Sequence, residues 1–83
     1  MSKWDKLIMR ILSLSKDIRF AELKKVLEAY GYKAKQPSIG SSHYSFRKKG
    51  KRTITIPKNE PIKIVYVLIV KQIILEDEEN ENK

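Results

Sequence analysis

The chain predicts an α+β fold with the element order α-α-β-β-β-α, and three observations carry that expectation. Two stretches with helical apolar spacing fill the first thirty or so residues, three short β-like stretches separated by turn residues follow, and a long apolar segment comes last. A three-stranded antiparallel sheet packed by helices is the simplest arrangement that buries all of them.

Each element has a local reason. Trp4, Leu7, Ile8, Ile11, Leu12 and Leu14 recur at three- and four-residue steps, which gives an apolar face to a helix from about Ser2 to Leu14. Ser2 is placed to cap it, and Asp5 favours its positive end. After the polar break Ser15-Lys16-Asp17, the residues Phe20, Leu23, Val26, Leu27 and Tyr30 mark a second helical face, and Gly31 supplies a left-handed stop. Tyr32 to Gln36 reads as a first strand, ended by Pro37 and the turn Ser38-Ile39-Gly40-Ser41. The second strand begins near Ser42. Along it Tyr44 and Phe46 point one way while His43, Ser45 and Arg47 point the other, because strand side chains alternate faces. Lys48-Lys49-Gly50-Lys51 turns the chain into a third strand, Arg52 to Ile56, which Pro57 terminates.

The segment Ile62 to Leu75 is rich in β-branched residues that would individually suit a strand, but its length argues for a helix. Asn59 is its expected cap and Pro61 its first turn. On such a helix Ile62, Val65, Tyr66, Ile69 and Ile73 share one face, leaving Ile64, Val67, Leu68, Val70 and Ile74 elsewhere on its circumference. That surplus is divided between core and the kind of apolar surface that marks a protein interface. Residues 1–75 form one domain, and the acidic tail 76–83 is expected to be disordered and solvated by its like charges. There is no internal repeat.

Size and composition set the bounds. A chain of 83 residues holds one small core and buries only about 60% of its unfolded surface. The absence of cysteine excludes a disulfide framework, a thiolate metal site and a cysteine nucleophile, and it fits a reducing cytosol. Asp5, Lys6 and Arg10 interrupt the apolar residues that a signal peptide would need unbroken. Ile62 to Leu75, with Lys63 and Lys71 inside it, falls short of the roughly 20 residues of a spanning helix. A cytoplasmic protein with no membrane partner is therefore expected.

Charge is unevenly divided. Residues 1–75 hold 17 Lys and Arg against 5 Asp and Glu, a net +12, and the tail carries −4, so the chain's +8 understates how basic its body is. Between Glu28 and Glu60 there is no acidic residue, while Lys33, Lys35, Arg47, Lys48, Lys49, Lys51, Arg52 and Lys58 all fall there. Such density favours nucleic acid, because each cation that meets a phosphate releases counterions whatever the base sequence. The bland counterpart is a solvated charged face.

His43, the only histidine, lies inside that segment. A lone histidine beside a turn is commonly a surface residue without a task, but imidazole titrates near pH 6.5 and suits proton transfer at neutral pH. RNA brings its own nucleophile, the 2′-hydroxyl, so a protein cleaves it by aligning that group with the phosphorus and managing two protons. His43 is the candidate general base or general acid, its role undecided. Arg47, on the same face, is a candidate to hold a phosphate oxygen and stabilise the transition state. Lys48, Lys49, Lys51 and Arg52 are candidate RNA-backbone ligands or, equally, a solvated turn that guards the sheet edge. Gly40, Ser41 and Ser42 offer amides and hydroxyls to phosphate, or simply turn the chain. Metal catalysis is disfavoured because hard-cation nuclease sites use clustered carboxylates, which the residues around His43 lack. A Ser-His-Asp hydrolase is disfavoured because Asp5 and Asp17 lie in the helical N-terminal region. No cofactor is implied.

The order helix, three-stranded meander, helix, together with Gly31-Tyr32, Gly40-Ser41-Ser42-His43-Tyr44-Ser45-Phe46-Arg47 and Thr53-Ile54-Thr55-Ile56-Pro57, resembles the HicA family of toxin ribonucleases over about residues 20–75. The resemblance implies a double-stranded-RNA-binding-domain-like fold, catalysis by the histidine of a glycine-serine-histidine motif, here His43, mRNA as substrate, and a cognate HicB antitoxin. Pro57-Lys58-Asn59-Glu60-Pro61 also looks like that family's turn into its last helix, where many members carry a second histidine; here Asn59 stands in that place. Residues ahead of Phe20 are an addition to the minimal domain. Two other classes compete: a non-catalytic RNA-binding module on the same scaffold, and a protein-interaction subunit whose basic face and apolar last helix serve an acidic partner.

Overall fold

The computed structural model describes residues 2–36, 42–58 and 62–81, and within them the chain runs α1 (Lys3–Leu12), α2 (Phe20–Ala29), β1 (Lys33–Lys35), β2 (His43–Arg47), β3 (Ile54–Pro57) and α3 (Ile64–Glu81). The fold is α+β in the expected order. The turn Pro37–Ser41 and the helix start at Asn59–Pro61 lie outside the described residues.

Ser2 caps α1 as its position suggests, its Oγ accepting from the Asp5 N–H at 3.1 Å. The helix ends two residues short of Leu14, which instead takes left-handed backbone with φ +57°. The Leu14 and Ser15 N–H groups then bond back to the Ile11 and Arg10 carbonyls, a Schellman closure. Arg10 ties the following loop to α2: its guanidinium reaches Asp17 at 3.1 Å and Glu22 at 2.9 Å. Glu22 also accepts from the Arg19 N–H at 2.9 Å, holding the start of α2. At the other end of α2, Gly31 takes φ +95° while the Gly31 and Tyr32 N–H groups close on Glu28 and Leu27. The left-handed stop expected at Gly31 is therefore present.

The sheet order is β1-β2-β3, all antiparallel. Its inner face meets the helices: Phe46 and Ile56 are fully buried, and the Phe20 ring lies 4.9 Å from Tyr44 and 6.3 Å from Phe46. Leu23, Val26 and Leu27 of α2, Ile11 of α1 and Val67, Val70 and Ile74 of α3 complete the core. β3 begins at Ile54 rather than Arg52 and ends at Pro57 as expected, a position that an edge strand tolerates.

Two expectations are corrected. The inward face of α3 is Val67, Val70 and Ile74, each 0% exposed, whereas Val65 is 54% exposed. Apolar residues surround this segment on every side, so periodicity carries no phase, and the neighbours alone set which side is buried. The acidic tail is not loose as far as Glu81, because α3 continues through it. Extending a helix already anchored by packing costs far less than starting one, and glutamate is a good helix former, so like-charge repulsion does not stop the propagation. Among the described residues no helix is long and apolar enough to cross a membrane.

Candidate nucleic-acid interface on the open sheet face

Antiparallel partners directly opposite each other project to the same side of a sheet, so the register defines the outer face residue by residue. Lys33 stands opposite Arg47, Lys35 opposite Ser45, Ser45 opposite Thr55, and His43 opposite Pro57. Lys33, Lys35, His43, Arg47 and Thr55 are all exposed, while their sequence neighbours Ala34, Tyr44, Phe46 and Ile56 turn toward the helices. The alternation read from the sequence thus places His43 and Arg47 on one open face.

The two residues are not adjacent. Four residues of extended chain separate them, about 13 Å at a rise of roughly 3.3 Å per residue. Arg47 lines a hollow of about 670 Å³ with Lys33, Lys35, Lys48, Lys49, Lys51 and Thr53, and His43 does not. Arg47 is thus grouped with Lys33 and Lys35 of β1 in a hollow that His43 does not line. Lys33 and Lys35 are the residues that the reading of candidate ligands missed. Their signal was the Lys-Ala-Lys pattern of a strand whose middle residue points inward.

His43 begins β2 beside the Pro57 ring, and the ladder continues one step further through the Lys58 N–H, which donates to the Ser42 carbonyl at 2.7 Å. Ser42 is exposed next to it; Gly40 and Ser41 fall outside the described residues. Of the hairpin cations, Lys49, Lys51 and Arg52 are exposed. Lys48 is turned inward. Its ammonium donates to the Tyr30 carbonyl at 2.7 Å, at the end of α2, and sits 5.6 Å from the Tyr32 ring. Its charge therefore closes a helix C-terminus and lends the hollow a positive wall rather than a mobile hand.

Electrostatics divide the molecule at this point. The lining of the hollow contains no carboxylate. Glu76 lines a second hollow together with Tyr32, Lys51 and Arg52, and Lys51 borders both hollows. Burial raises the Tyr32 phenol above its ordinary pKa, and the Glu76 charge adds to the effect. No family model, curated protein or solved structure matches the chain.

Proposed function

We propose that this chain is a metal-independent endoribonuclease of the HicA type, a cytoplasmic toxin that cleaves mRNA and is neutralised by a HicB-type antitoxin. One observation supports the reading above others: the single imidazole is exposed on a sheet face whose outward residues are cations and hydroxyls, with no carboxylate lining the adjoining hollow. A double-stranded-RNA-binding-domain-like scaffold, with the helices packed on the opposite face, leaves that surface for the substrate.

The chemistry needs only what RNA and imidazole provide. The 2′-oxygen attacks the adjacent phosphorus, the bond from phosphorus to the 5′-oxygen breaks, one proton leaves the 2′-hydroxyl and another reaches the departing oxygen. His43 carries one of those transfers, as base or as acid. The product ends are a 2′,3′-cyclic phosphate and a 5′-hydroxyl. Pro57 stands opposite His43 on the same face. The antitoxin would act by covering His43 and the basic hairpin.

His43→Ala is the test. Cleavage should fall by at least about a hundredfold, the range typical of a lost general acid or base, while helical content and RNA binding persist. Retained cleavage overturns the assignment. The chain holds no second imidazole to handle the other proton, which favours one rival, a binding module on the same scaffold. Wild-type protein that shifts RNA and never cuts it would select that rival.

A further inference from the structure

We infer that the hollow between β1 and the β2–β3 hairpin is a binding site for the phosphodiester backbone of RNA, separate from His43 and fixing where along the strand His43 acts. The inference deepens the reading of the chain as a ribonuclease and rests on it only for the meaning of the distance.

Three observations carry it. First, Lys33, Lys35 and Arg47 come from two paired strands yet present their charges on the same side, and Lys49, Lys51 and the Thr53 residue close the far end. The spacing along and across a sheet is rigid, so at Lys33, Lys35 and Arg47 only the side chains, and not the backbone that carries them, need ordering on binding. Second, the hollow has no carboxylate in its lining, so nothing within it neutralises the cations. Third, among the described residues the outward positions of the open face include no large aliphatic or aromatic side chain, and the exposed large apolar residues are Met9, Ile64, Val65 and Leu68, on the helices. Protein interfaces gain their affinity from buried apolar and aromatic anchors, whereas nucleic-acid interfaces are polar and strongly positive. The face therefore fits a polyanion with hydroxyls to meet, which is RNA, better than an acidic polypeptide.

The separation has a consequence. With roughly 13 Å of strand backbone between His43 and Arg47, and His43 outside the lining, a phosphate held at the Lys33–Arg47 end of the hollow is not the one that reacts. The site acts as a ruler: RNA must extend from the cleaved bond as far as the hollow to benefit from it. Lys33, paired with Arg47, is a positioning residue, not a catalytic one; Lys35, paired with Ser45, stands between it and His43.

The experiment measures binding, so it stands apart from cleavage. A fluorescent 2′-O-methyl RNA oligomer, which lacks the nucleophile, is titrated by anisotropy into the full chain, Lys33→Gln/Lys35→Gln, and Lys3→Gln/Lys6→Gln as an equal-charge control on α1. The β1 double variant should bind about tenfold or more weakly, and the log–log salt slope should shrink by about 0.7 for each lysine removed. The α1 control should stay within about twofold of wild type, as expected for cations outside the footprint. Equal losses in both double variants, or none in the β1 variant, would overturn the site, as would displacement of the RNA by poly-glutamate of matched charge at equal concentration. Failure of wild-type protein to cut RNA would remove the ribonuclease reading and leave this result standing.

Discussion

Lys48 joins the end of α2 to the basic face, its ammonium on the Tyr30 carbonyl and its side chain passing Gly31. A Cβ on Gly31 would lie 3.2 Å from the Lys48 Cε, and its φ of +95° is one that L side chains rarely adopt. Gly31→Ala should therefore destabilise the fold by at least about 1 kcal/mol, read from urea unfolding. Lys48→Met, which leaves the Tyr30 carbonyl without its cationic donor, should cost about 1 kcal/mol as well, while Lys49→Met on the exposed turn should change little. Asp17 gives a residue-scale test in pH. The Ser15 hydroxyl and then the Arg10 guanidinium hold its carboxyl below the ordinary value of 3.8. A depressed folded-state pKa means that the contribution is complete above the unfolded value and is lost as pH falls through the lowered one. The melting-temperature difference between wild type and Asp17→Asn should be constant from neutrality to about pH 5 and shrink below pH 4, where the unfolded chain takes up the proton first. A difference that grows on acidification would contradict the contact.

At the scale of elements, α3 separates what sequence pattern can and cannot carry. Ile74→Ala should cost about 2–5 kcal/mol, whereas Val65→Ala should stay within about 0.5 kcal/mol, although the helical wheel alone ranks Val65 as the inward residue. Thermal or urea denaturation of the two variants settles the phase of the helix. The strands were legible because polar and apolar residues alternate: Tyr44 and Phe46 had to face the helices, and His43 and Arg47 followed to the other side. The helix ends at Ser2 and Gly31 were legible from cap chemistry. The phase of α3 was not, because Ile62 to Leu75 offers apolar surface all round and only packing against Phe46, Ile56 and the α2 face selects Val67, Val70 and Ile74. The distance between His43 and Arg47 was implicit in the strand rise, but their shared face drew attention first. The role of Lys48 in closing α2 depends on an 18-residue separation that no local pattern encodes.

Taken whole, the molecule sets a basic open sheet against an acidic helix end. Lys33, Lys35 and Arg47 gather in one hollow, and Glu76 lines the second. Such a division orients an incoming polyanion, since the same field that draws phosphate to the sheet repels it from the end of α3. In the function proposed above, His43 works on this face with the substrate's own 2′-hydroxyl and without a metal ion. The measurement that tests it most directly is cleavage of a defined RNA by wild-type protein in excess EDTA, with the new ends identified by mass spectrometry. The account predicts undiminished cleavage, 2′,3′-cyclic phosphate ends, and no cut where the nucleotide before the scissile bond is 2′-deoxy. Loss of cleavage in EDTA, or 3′-hydroxyl ends with the deoxy substrate still cut, would contradict it.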